Sequence, residues 1–257
     1  MKAIKFQQSL FIPTTLLLVV VAWLVLFWWE QSPYSHYILH GPAAHGMHHQ
    51  VVSSAVVLYL LGWMLMCIAM MLPTTLPLIQ IVYRISSDYD DRWLLISLLI
   101  SGYLFIWLIF GIVAHIGQWL ITQNVFGYEF MSNKTWLLSS GLLIMAGVFQ
   151  FSSLKYKCLD KCRTPLGFVM GYWQGRHHYR QAWLLGLHHG IYCVGCCWAL
   201  MLLMFAVGTG SVFWMLILGA IMAVEKNVSW GNKIAKPVGV IFLIWGCGLV
   251  VNNSFLV

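Results

Sequence analysis

The sequence predicts an all-α fold: a polytopic transmembrane helical bundle of about seven spans with its N-terminus cytoplasmic. Three observations carry that prediction. Of the 257 residues, 61% are hydrophobic and 8% charged, against roughly 25% charged in an ordinary soluble domain. Apolar stretches of about 20 residues, the length that crosses a ~30 Å hydrocarbon core, recur between short polar breaks. With the N-terminus inside, every one of the 14 Lys and Arg residues except Lys134 falls on the inner side, and that asymmetry sets orientation. The composition excludes a water-soluble globule, a disordered chain and a disulfide scaffold. The net charge of +7 therefore reads as a topology signal facing the lipid bilayer and its anionic head groups, with no nucleic acid as partner.

Each element follows in order. Lys2 and Lys5 precede a first span at 10–29 that ends in Phe27-Trp28-Trp29-Glu30. Its length, and the lack of a small-x-small site after it, predict an uncleaved signal anchor. Residues 30–52 form a His-rich outer loop. The second span, 53–82, contains Pro73 and Pro77, which remove amide donors and disturb the helix beside a Met cluster. Asp88, Asp90 and Asp91 occupy a short solvated inner loop. Spans at 93–122 and 135–154 follow, then a basic cytoplasmic loop at 155–182 with a Cys pair, then spans at 183–207, 212–225 and 237–252. Trp28, Trp29 and Trp93 at span ends fit an interfacial belt. No internal repeat is visible, and residues 1–257 read as a single integral membrane domain.

The seven Cys residues are odd in number. None lies in an outer loop, where an oxidising compartment favours disulfides, so the clustered thiols need another explanation. The densest group lies on the fifth span, where His189, Cys193, Cys196, Cys197, Met201 and Met204 share one stripe because residues three and four apart lie on one face. At 1.5 Å per residue the stripe is more than ~20 Å long, so it holds either one site near Cys193–Cys197 or several handover positions. Thiolate and thioether donors select Cu(I) over harder ions. The competing reading is packing, with Cys as a small buried hydrophobe and Met as gap filler.

The second span offers a matching surface, with Met64, Cys67 and Met71 on one face and Met66 and Met70 on the next. In the outer loop, His36, His40, His45, His48 and His49 surround Met47 with almost no carboxylates, a tract suited to weak capture of Cu or Zn. On the inner side, Cys158 and Cys162 lie one turn apart among Lys155, Lys157, Lys161 and Arg163, and nearby positive charge favours thiolate. This pair reads as lying at a different depth from the Cys193–Cys197 group. Glu225 and Lys226 read as an ion pair at the inner end of the sixth span, and His115 as either a core His or a ligand. No Gly-x-Ser-x-Gly elbow, P-loop or paired intramembrane carboxylates point to hydrolytic chemistry.

Ala69-Met70-Met71-Leu72-Pro73, the segment from Lys155 to Pro165, His189-Gly190 through Cys193-Val194-Gly195-Cys196-Cys197-Trp198-Ala199-Leu200-Met201, and Glu225-Lys226 occur in that order. The pattern resembles a bacterial family of predicted metal-binding integral membrane proteins, long catalogued as a domain of unknown function, some of which accompany tyrosinases as membrane copper chaperones. The resemblance runs from about Trp63 to Lys226. It departs at the outer loop, His-rich here and Met-rich in many members, and at Gly208-Thr209-Gly210, where members often carry Gly-Met-Asn. It implies a multi-pass protein of the bacterial inner membrane, with copper as cargo and a cuproenzyme, tyrosinase-like or other, as recipient.

The residues and the resemblance together favour a non-enzymatic copper protein, in which the outer His tract gathers Cu and the Cys and Met ladders bind Cu(I) for delivery. Three other readings stand beside it. One is a membrane thiol-disulfide oxidoreductase built on Cys193-Val194-Gly195-Cys196 and the inner Cys pair. Another is a copper transporter that passes the ion across the bilayer. The last is a structural subunit whose Cys and Met only pack.

Overall fold

The computed structural model describes residues 2–31, 49–121, 135–173, 177–207 and 211–254. Among the described residues every element is helical: α1 (Lys2–Glu30), α2 (His49–Ile85), α3 (Arg92–Leu120), α4 (Thr135–Phe149), α5 (Ser153–Arg163), α6 (Pro165–Tyr172), α7 (His178–Val207), α8 (Val212–Asn227) and α9 (Ala235–Ser254). His45 and His48, with most of the 30–52 loop, lie outside the described residues. His49 is the first residue of α2, so the end of that expected loop belongs to a helix.

Among the described residues, five helices are long and apolar enough to cross a membrane, and six candidate spans result if the bent pair α4–α5 counts as one. Five or six candidates thus stand against the expected seven. The difference lies at 212–225, where α8 has 16 residues and so is about 24 Å long at 1.5 Å per residue, short of a ~30 Å core. The fourth span differs too. α4 stops at Phe149, and the chain bends by 66° before α5 begins at Ser153. Ser152 caps α5 by accepting a hydrogen bond from the Leu154 amide at 3.2 Å, the ordinary way an N-cap serine satisfies a free donor.

The stretch from 155 to 172, expected as loop, is largely the two helices α5 and α6. α5 exposes Lys157, Asp160 and Lys161 and turns Cys158, Leu159 and Cys162 towards its neighbours, so its low average hydropathy conceals an amphipathic helix.

α7 is the centre of the bundle and packs against α3, α4, α5, α6 and α8, while α2 packs against α1, α3, α6 and α8. The closest seam joins α7 to α3. A Cβ on Gly102 would lie 2.5 Å from the Trp183 carbonyl oxygen, one on Gly186 would overlap the Leu99 carbonyl, and one on Gly190 would lie 2.9 Å from Ile106 Cβ. Gly186 and Gly190 form a Gly-x-x-x-Gly step, the spacing that lets apolar helices approach backbone to backbone. α2 runs unbroken through Pro73 and Pro77. After Pro73 the Thr74 and Thr75 hydroxyls donate to the Met71 and Leu72 carbonyls at 2.7 and 2.8 Å. Met71, Cys67, Cys193, Cys196, Cys197 and Met201 belong to one buried core.

Candidate functional site

The site forms where α2, α3, α5, α7 and α8 meet. α7 supplies Cys193, Cys196 and Cys197, each at most 1% exposed. Spacings of three and four residues aim all of them at the same side. The Cys196 and Cys197 thiols donate back to the Cys193 carbonyl at 3.1 and 2.8 Å, as short polar side chains do within a helix. The close α3–α7 seam places the Tyr103 hydroxyl 3.0 Å from Cys193 Sγ and 3.5 Å from the Met71 carbonyl. Cys197 Sγ lies 3.9 Å from Met71 Sδ on α2.

α8 adds a cation to this sulfur group. Lys226 Nζ lies 2.9 Å from Cys193 Sγ, 3.8 Å from Cys197 Sγ, 3.9 Å from Met71 Sδ and 3.4 Å from Thr74 Oγ1. Two thiols, a thioether and a hydroxyl thus converge on one position among buried residues. The expected Glu225–Lys226 ion pair is not what forms. Glu225 Oε2 accepts instead from Lys155 Nζ at 2.7 Å, with both side chains at most 3% exposed. Adjacent helical residues point in different directions, so one reaches α5 while the other reaches the sulfurs. Arg163 donates to the carbonyls of Glu225 and Ser229 at 2.6 Å each, placing a cation where the end of α8 concentrates negative potential.

α5 brings the second thiol pair alongside the first. Cys158 and Cys162 pack against the buried core that holds Cys193, Cys196 and Cys197. A Cβ on Gly195 would lie 2.6 Å from Cys158 Sγ, so a larger residue there would force the Cys158 thiol to shift. The two thiol pairs, expected at different depths, are neighbours, because the 66° bend between α4 and α5 turns the chain back against α7.

The remaining sequence-selected residues separate from this group. His189 is buried between rings, with the Tyr103 centroid at 5.7 Å and that of Phe168 at 5.9 Å. Met70 faces α8, where a Cβ on Gly219 would lie 3.4 Å from its Cε. Cys67 lies one turn before Met71 on the same face of α2, and Met201 lies one turn beyond Cys197; both are fully buried. His115 stacks on Tyr59 with centroids 4.3 Å apart. Sequence reasoning missed Tyr103 and Thr74, and it did not place Lys226 among the sulfurs. Lys226 carried a signal as part of the Glu225-Lys226 segment of the family pattern, whereas Tyr103 and Thr74 carried none.

The donor set is soft, but its nitrogen and oxygen complement is thin. Among the described residues, no three His, Cys, Asp or Glu side chains stand together as a metal site, and the Met71 thioether is what raises the Cys193–Cys197 pair to three donors. Soft sulfur donors of this kind suit Cu(I).

The family model of the PpoB2 copper chaperones matches residues 60–249, about three quarters of the chain and all of the site. No curated protein and no solved structure matches. The matched region holds the Met71, Cys158–Cys162, Cys193–Cys197 and Glu225–Lys226 segments whose side chains meet in the core, and the chain belongs to the PpoB2 family of copper chaperones.

Proposed function

We propose that this chain is a membrane copper chaperone that binds Cu(I) at Cys193, Cys197 and Met71 and hands it to a partner cuproenzyme. The observation that carries this reading is the convergence of the Cys193 and Cys197 thiols and the Met71 thioether on the position now held by Lys226 Nζ. Two thiolates and a thioether form a set matched to a soft monovalent ion, and its burial protects Cu(I) from water and oxidants. Cys196, Cys162 and Cys158 form an adjoining thiol group on the path towards α5, with Cys67, Met70, Met201 and His189 around the core. The His tract that includes His45, His48 and His49 gathers copper at the outer face of the bacterial inner membrane. The N-terminus lies in the cytoplasm.

The test is Cu(I) titration of detergent-purified protein under reducing, anaerobic conditions against a Cu(I)-specific chelator. The wild type is expected to take up Cu(I), and a Cys193→Ser/Cys197→Ser protein to lose that uptake. Equal uptake by both would end this reading.

One contact favours a second reading. Cys158 Sγ lies against Gly195, next to Cys196, and Cys162 packs against the core that holds Cys196, a neighbourhood of thiols that can reduce a partner's disulfide and become a disulfide itself. Trapping of a mixed disulfide between a partner and a Cys162→Ser or Cys196→Ser protein would establish it.

A further inference from the structure

Lys226 is the cation at the centre of the sulfur group, and its partners are unusual for a buried ammonium. Buried charges are ordinarily paired with an opposite charge. The carboxylate beside it in sequence is engaged elsewhere, Glu225 Oε2 with Lys155. Glu225 Oε1 is buried with no hydrogen-bond partner. Lys226 is 6% exposed and directs Nζ to Cys193 Sγ, Cys197 Sγ, Met71 Sδ and Thr74 Oγ1. It takes the position that a bound cation would share with these donors.

Metal–thiolate bonds are about 2.3 Å long. A Cu(I) ion held by Cys193 and Cys197 would therefore lie within the space of an ammonium placed 2.9 Å from one sulfur and 3.8 Å from the other. The two cannot share it, by size and by like-charge repulsion in a low-dielectric interior. Lysine is suited to moving aside, since its charge sits at the end of a flexible four-carbon stem with rotatable donors. The unpartnered Glu225 Oε1 gives the displaced ammonium an acceptor in the same buried region.

We propose that Lys226 is an internal competitor for the copper position: its ammonium occupies the sulfur group in the metal-free protein, Cu(I) expels it on loading, and its return displaces Cu(I) towards an acceptor. This rests on the copper site proposed above and adds its release mechanism. A chaperone has to let go of its cargo, and a cation tethered to the site supplies the competing occupant at no diffusional cost. No electron moves in the exchange: Cu(I) takes the place of the ammonium and of the Cys197 thiol proton, which is released on loading and regained when Cu(I) departs.

The experiment compares Cu(I) affinity and off-rate in the wild type, Lys226→Leu and Lys226→Arg proteins, with Cu(I) ions and a colorimetric Cu(I) chelator as probes. Leucine removes the charge without adding a soft donor. Lys226→Leu is expected to bind Cu(I) at least about tenfold more tightly and to release it correspondingly more slowly. Lys226→Arg, which keeps the cation, should stay nearer the wild type. Affinity that is unchanged or lower in Lys226→Leu overturns the proposal, because a merely charge-balancing lysine would weaken binding when lost. Should the leucine variant fail to fold, an experimental structure of the Cu(I)-loaded wild type decides. Nζ is expected beyond hydrogen-bonding distance of Cys193 and Cys197, and Nζ still in place beside them overturns the idea. A wild type that takes up no Cu(I) removes the copper site itself, an outcome distinct from a copper-binding wild type whose leucine variant binds no better.

Discussion

Lys155 Nζ and Glu225 Oε2 lie 2.7 Å apart, with the lysine side chain fully removed from solvent and the glutamate nearly so. The pair ties α5 to the end of α8, and Arg163 reinforces the junction through the Glu225 and Ser229 carbonyls. Removing one member of a buried pair leaves an uncompensated charge, which costs about 3–5 kcal/mol. Lys155→Met is therefore expected to lower the thermal unfolding midpoint sharply, and Lys155→Met/Glu225→Leu to recover most of the loss. Scanning unfolding in detergent measures both. A double variant no better than the single would show that the pair is not the source of the effect.

Gly195 sets the distance between the two thiol groups. A Cβ there would lie 2.6 Å from Cys158 Sγ, closer than any tolerated contact, so Gly195→Ala should push α5 away from α7. Mild oxidation of the wild type is expected to yield a Cys162–Cys196 disulfide, since Cys162 packs against the core that holds Cys196, and Gly195→Ala should reduce that yield. Peptide mapping by mass spectrometry reads the crosslink. An undiminished yield would mean that α5 is not held against α7 in the way described.

Tyr103 contributes both a ring and a hydroxyl. Its hydroxyl meets Cys193 Sγ and the Met71 carbonyl, and its ring is buried in the core. Tyr103→Phe keeps the ring and should cost about 1 kcal/mol, the usual net worth of one hydrogen bond. Tyr103→Ala should cost about 3–5 kcal/mol, as for other large aromatic truncations. Unfolding midpoints separate the two, and equal losses would mean that the hydroxyl dominates and the packing contributes little.

Much of this architecture was legible in periodicity and hydropathy. The first three spans, the helix carrying the Cys string and the final helix all appear near their expected positions, because twenty apolar residues in a row admit one solution in a bilayer. The Cys193–Cys197 stripe was legible too, since helical spacing alone puts those thiols on one face. The role of α5 was not. Its segment, from Lys155 to Arg163, is dense in charge, and a pattern reading assigns such residues to water. What buries Lys155 is Glu225, seventy positions away in sequence, and what admits Cys158 is the missing side chain of Gly195. Lys226 was given the wrong partner for the same reason. A cation beside a carboxylate at a span end reads as its ion-pair partner, and only the packing of α8 against α2 and α7 turns its stem towards Met71 and Cys193. Partners that are distant in sequence leave no local periodicity to detect.

The sulfur atoms themselves give the last prediction. Cys193, Cys197 and Met71 surround one position, whereas Cys247 is exposed on α9. If the three sulfurs act as one donor set, removing the thioether should weaken Cu(I) binding by about tenfold, or about 1.4 kcal/mol, without abolishing it, because two thiols remain. Met71→Leu preserves volume and apolar character, so its cost in stability should stay below about 1.5 kcal/mol, and a tenfold loss of affinity in the folded variant reports on the sulfur. Cys193→Ser should do more damage, since it removes a thiolate donor. Cys247→Ser is the control and should leave affinity at the wild-type value. Competition titrations with a Cu(I) chelator rank the four proteins. A Met71→Leu protein that binds as tightly as wild type would remove the thioether from the donor set, and a Cys247→Ser protein that binds more weakly would place copper on a different face of the bundle.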